Sequence, residues 1–164
     1  MPETVRALEL FLFHTAYGEF MRDSRWAWQV WESIHFTGMS MLVGTVGLFD
    51  LRLLGFARAV PLKALHSLIP VGVIGFLMNL ATGIGFLTAT PDQYMYNKAF
   101  WVKSTLLIIA GLNVLFFYAR VFRRLEQNGA HAPPPAGARL AGGISLTAWV
   151  GVMAAGRLLT FYRP

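Results

Sequence analysis

Apolar residues run along this chain in four long stretches, residues 33–49, 64–91, 104–119 and 140–156, each nearly free of charge. At about 1.5 Å of rise per residue, a helix of this length passes through most of the hydrocarbon of a bilayer. The alternation that marks barrel strands is missing, and inside a bilayer the backbone must satisfy its own hydrogen bonds, which leaves helices. Four transmembrane helices are therefore predicted, over residues 26–49, 61–88, 97–122 and 140–162, in a single all-α membrane domain.

The segments between and before the spans are polar or broken. Residues 4–20, "TVRALELFLFHTAYGEF", mix apolar and charged positions and are too interrupted to cross, so they read as an interfacial helix. Pro61 suits the first turn of the second helix, and Pro70 should bend it. "ATPDQYMYNK" is a polar turn, and the Pro/Gly-rich "EQNGAHAPPPAGAR" is a loop. Small residues such as Gly72, Gly75 and Gly151 permit close helix contact, within a chain or between copies in a homo-oligomer.

Composition agrees with the pattern: 55% of the 164 residues are hydrophobic and 13% are charged. The net charge of +6 does not point to nucleic acid, because the basic residues cluster in short loops at helix ends. Arg52, Arg58 and Lys63 fill the first link, and Arg120, Arg123, Arg124 and Arg139 flank the third, whereas the second holds only Lys98. By the positive-inside rule the first and third links face the cytoplasm and both termini lie on the outer side. Trp26, Trp28, Trp31, Tyr94, Tyr96, Trp101, Phe161 and Tyr162 then form an outer aromatic belt. Glu3, Arg6 and Glu9 stand where a cleavable signal would need an apolar core, so the N-terminal segment is expected to be retained. Without cysteine, disulfides, thiolate metal sites and redox thiols are excluded.

Topology raises a question about "WAWQVWESIHFTG", residues 26–38. Helical rise puts Glu32 roughly 9 Å and His35 roughly 13 Å below the outer end of the first helix, with Lys103 roughly 9 Å and Arg157 roughly 8 Å deep in the third and fourth. Asn79 and Thr82 of the second helix fall in the same layer. Charges inside a membrane are costly and face one another or a ligand. One reading is structural, with Glu32 paired to Lys103 or Arg157. The other starts from two cations against one carboxylate, a surplus that a bound anion neutralises. Gly38, one turn below His35, would remove side-chain bulk and let a flat ligand approach. Haem b meets these demands: His35 would ligate iron while Lys103 and Arg157 hold the propionates. Met153 on the fourth helix matches His35 in depth and is a candidate axial partner, with Met78 deeper and His14 in the interfacial helix. A weaker constellation, Asp50, Arg52, His66 and Asn113, lies near the cytoplasmic helix ends. Helix capping and snorkelling ion pairs explain it, with a second haem at His66 as the alternative. His131 in the Pro-rich loop has no evident partner.

"ESIHFTGMSMLVGTVGLFDLRLLG" together with "NKAFWVKSTLLIIAGLN", about a quarter of the chain, resembles a group of small bacterial inner-membrane proteins. More distantly, a histidine early in helix one and a W-x-K segment in a later helix resemble the four-helix bacterial protoporphyrinogen oxidases, and the helix-one histidine resembles that of copper-resistance D-type membrane proteins. The resemblance implies a bacterial inner membrane, haem b, and a role for His35 and Lys103. The expectation is a b-type cytochrome-like protein that moves electrons between quinol and a periplasmic or membrane carrier, with Glu32 orienting His35 or relaying a proton. The alternatives are a porphyrinogen oxidase and a non-catalytic subunit or scaffold of a larger membrane complex.

Overall fold

The computed structural model describes residues 3–127 and 133–161, so His131 and Tyr162 lie outside the described residues. Two short helices, α1 (Glu3–Phe13) and α2 (Ala16–Asp23), precede α3 (Ala27–Leu54). The Thr15 hydroxyl accepts from Gly18 N at 3.1 Å and donates to Leu12 O at 2.8 Å, capping α2 and fixing the turn after α1. The chain continues through α4 (Leu62–His66), α5 (Ile69–Ala89), α6 (Pro91–Met95) and α7 (Lys98–Phe116). A π-helical turn, Phe117–Val121, leads from α7 into α8 (Phe122–Gln127), and α9 (Ala136–Leu158) follows.

Four segments are long and apolar enough to cross a membrane: α3, α4 with α5, α7 with its π-helical turn, and α9. They alternate in direction, so one end of the bundle gathers the start of α3, the end of α5, the start of α7 and the end of α9. This is called the termini end below. Central α3 packs on α5 and on α9, and α7 packs on α9, whereas α5 and α7 scarcely meet. Large apolar side chains such as Ile74 and Leu77 on α5 and Ile108, Leu112 and Leu115 on α7 are exposed. An apolar outer face on a helical bundle is the surface that lipid covers.

The helices differ from the pattern-based bounds for local reasons. The first runs on to Leu54 because Arg52 and Leu53 are buried against the bundle, and it stops where Gly55 adopts φ +100°. The second is interrupted at Ser67 and Leu68: Pro70 lies in the first turn of α5, so the expected bend is a break between two helices. The expected interfacial helix is two helices with different roles. α1 buries no residue and exposes Leu8, Leu10 and Phe11. α2 docks on α5, where Tyr17 OH donates to Ala81 O at 3.1 Å and Arg22 Nη1 to Thr88 O at 3.1 Å. Trp31 of α3 donates its indole N–H to the same Tyr17 hydroxyl. Beneath this hairpin Met21, Ala27, Phe86 and Ala89 form one apolar cluster; Leu42, Ala110, Trp149 and Val152 form a second in mid-bundle.

The α3–α5 crossing rests on glycine. A Cβ on Gly75 would lie 2.5 Å from Gly38 O, and one on Gly38 would lie 2.7 Å from Gly75 O. Backbone therefore meets backbone, as small residues permit between membrane helices.

Candidate functional site

His35 of α3 reaches Thr82 of α5, with Nδ1 2.7 Å from Thr82 Oγ1. The Thr82 hydroxyl also lies 2.7 Å from Met78 O and 3.2 Å from Asn79 O, acceptors for its single hydrogen on its own helix. With that proton placed on its own helix, the Thr82 oxygen can accept from a His35 Nδ1–H, the tautomer that leaves the Nε2 lone pair for another partner. Phe86, one turn beyond Thr82, packs edge to face on the imidazole with centroids 5.6 Å apart and holds its plane.

Lys103 of α7 joins the same group. It is half-buried and close enough to His35 for its charge to act on the imidazole. A Cβ on Gly156 of α9 would lie 3.7 Å from Lys103 Nζ, an ordinary contact, which places the ammonium against α9. Residues of all four spans thus meet in one layer near the termini end.

Several residues expected in this layer serve other ends. Gly38 is a correction: the space beside it is filled by Asn79, Gly75 and Met78, so it admits α5 rather than a flat ligand. Asn79 donates to Gly75 O of its own helix at 2.8 Å and packs at that crossing. Arg157 lies in the last turn of α9, exposed, its guanidinium 5.4 Å from the Phe161 ring centroid. Arg157 thus shares the depth of Gly156, but its side chain lies on the exposed side of α9, toward Phe161. Glu32 is exposed, and among the described residues no ion pair joins it to Lys103 or Arg157. It acts instead on Tyr94 of α6, whose phenol is pushed up to about 12, first by burial and then by the Glu32 carboxylate. Met153 is half-buried on α9, one turn deeper than Gly156.

At the opposite end, His66 Nε2 lies 3.1 Å from Tyr118 OH, and its ring stacks on Phe122 with centroids 4.6 Å apart. Among the described residues no three His, Asp or Glu side chains converge as a metal site. Asp50 and Arg52 are 3% and 2% exposed, too buried for the snorkelling expected of them. Arg52 Nε donates to Val60 O at 3.0 Å, and Asn113 Nδ2 donates to Ala141 O of α9 at 2.9 Å. Pattern reasoning missed Ser145 and Trp149, which meet Asp50 and Asn113 around one cavity; a lone serine and tryptophan in an apolar run give no signal of it.

Four apolar helices, lipid-facing side chains and a polar layer inside the bundle define a multi-pass α-helical membrane protein. The chain belongs to the family of unknown function DUF6644, whose model matches residues 25–162. That match takes in all four spans and the whole His35 layer, and leaves α1 and α2 outside. No curated protein and no solved structure matches the chain significantly.

Proposed function

We propose that the chain is a b-type cytochrome-like electron-transfer protein of the bacterial inner membrane, with His35 as the iron ligand. The observation that carries this is the Thr82 contact. A histidine that ligates metal gives its other ring N–H to a fixed acceptor, and Thr82 Oγ1, 2.7 Å from Nδ1 and able to spend its own hydrogen on Met78 O, can serve as that acceptor and leave Nε2 for iron. Haem b in this layer would supply one-electron redox chemistry. The residues fit it at His35 and Lys103 and do not fit it at Gly38 or Arg157. Lys103, whose charge acts on the imidazole, would neutralise a propionate of the group. Phe86 keeps the imidazole from turning. Met153 would hold the group from α9, a membrane quinol would be the donor, and a carrier on the outer side, at the termini end, the acceptor.

Haem content per chain, measured on protein purified from membranes, tests the reading. His35→Ala should lose most of the haem at unchanged membrane yield, since every apolar span is intact, and His66→Ala should keep it. Loss in His66→Ala alone would move the site to the opposite end. The closed Gly38 crossing favours a second reading, in which the layer only locks α3 on α5. On that reading wild-type protein carries no haem even after growth with a haem precursor.

A further inference from the structure

In the half of the bundle away from the His35 layer, α3, α5, α7 and α9 draw apart around a cavity of about 370 Å³. Phe76 and Trp149, edge to face with centroids 6.5 Å apart, bound it toward that layer. Phe49 and Phe117, 5.8 Å apart and nearly perpendicular, bound it below. Phe117 and Tyr118 reach its wall from the π-helical turn, a local widening of the helix frequent at functional sites.

Two residues of this apolar wall carry polar atoms without a partner. Asp50 is 3% exposed and its Oδ2 is unbonded; Trp149 is 9% exposed and its Nε1–H is unbonded. Nearly all buried polar groups in folded proteins are hydrogen-bonded, so an orphan acceptor and an orphan donor on one cavity call for a ligand supplying both counterparts. The cavity also opens sideways. α5 and α7 scarcely meet, and of the lining residues Val73 and Phe76 on α5 and Val114 and Tyr118 on α7 are exposed on the lipid-facing surface. A molecule arriving this way comes from the bilayer. A charged headgroup is barred by the apolar mouth, and a bare hydrocarbon tail satisfies neither orphan.

We infer that this cavity binds a membrane quinone, a flat ring bearing oxygens and an apolar tail. A ring oxygen accepts from Trp149 Nε1–H. In the quinol form a ring hydroxyl donates to Asp50 Oδ2, with Ser145 also lining the cavity. The tail leaves between α5 and α7. The site shares no residue with the His35 layer, so it stands whether or not that layer carries haem.

The test is the melting temperature of detergent-purified protein titrated with decylubiquinone, decylubiquinol and, as a tail-only probe, decanol. Binding to the folded state alone raises the melting temperature saturably. Wild type should show this with both quinone forms and not with decanol. Trp149→Phe, which removes the donor, should weaken both about tenfold. Asp50→Ala removes the acceptor and should weaken the quinol about tenfold while sparing the quinone. Gly111→Leu should abolish the shift: Gly111 lines the cavity and its Cβ would meet nothing within 4 Å, so the variant folds with the space filled. An equal shift in Gly111→Leu overturns the site. A decanol shift matching the quinone's, or unchanged affinity in both Trp149→Phe and Asp50→Ala, shows a tail pocket and overturns the quinone assignment.

Discussion

Replacing Gly75 by alanine adds one methyl group where there is no room for one. Its Cβ would sit 2.5 Å from Gly38 O and 2.8 Å from Leu42 N, both backbone atoms that cannot swing aside. Ordinary contact starts at 3.4 Å, so α3 and α5 must part by about 0.9 Å, the difference between 3.4 and 2.5 Å. Overpacking of this kind costs about 1–3 kcal/mol, against a helix-propensity gain of about 0.5–1 kcal/mol for alanine over glycine. The balance is a net loss of up to about 2.5 kcal/mol, centred on about 1 kcal/mol and enlarged where the parted helices lose dispersion contacts along their length. Gly83, two turns along the same helix, is the control: its Cβ would meet nothing within 4 Å, and Gly83→Ala should gain about 0.5–1 kcal/mol. Reversible unfolding in mixed micelles, followed by near-ultraviolet dichroism, measures both. If Gly75→Ala proves as stable as Gly83→Ala, the α3–α5 crossing is not closed at Gly38 and Gly75, and the space beside Gly38 is again open to a ligand.

Other outcomes follow from the same geometry. Thr82→Val keeps the shape but removes the acceptor that orients His35, and should reduce haem affinity about 10–100-fold while leaving the fold intact; unchanged affinity would remove Thr82 from the account. Arg22→Ala breaks charge-assisted bonds to Thr88 O and Phe13 O and should loosen the α1–α2 hairpin by about 1.5–3 kcal/mol, read as faster proteolysis near residue 15 with the four spans protected. Reporters active only in the cytoplasm, fused at either terminus, should stay silent; activity at one would reverse the orientation inferred from the basic loops.

The spans were legible because their signal is local: long charge-free runs admit no other reading inside a bilayer. The His35 layer was legible in part, since helical depth placed His35, Thr82 and Lys103 at one level. Depth does not fix azimuth, and so Gly38 was assigned to a ligand although α5 fills its side. The same holds for Arg157: it stands at the depth of Gly156, but its guanidinium is exposed over Phe161. Asp50 looked like a cap in a polar link, yet α3 continues one turn beyond it and buries it. The cavity was not legible at all. It depends on α5 and α7 failing to meet, a property of four helices together that no single run encodes.

The most direct test of the central claim is the reduced-minus-oxidised absorption spectrum of the purified wild-type protein, made with a haem precursor in the medium. The account predicts a Soret band that shifts on reduction and a sharpened α band, both absent from His35→Ala and present in His66→Ala. A colourless wild-type protein, or a His35→Ala spectrum identical to wild type, would contradict it.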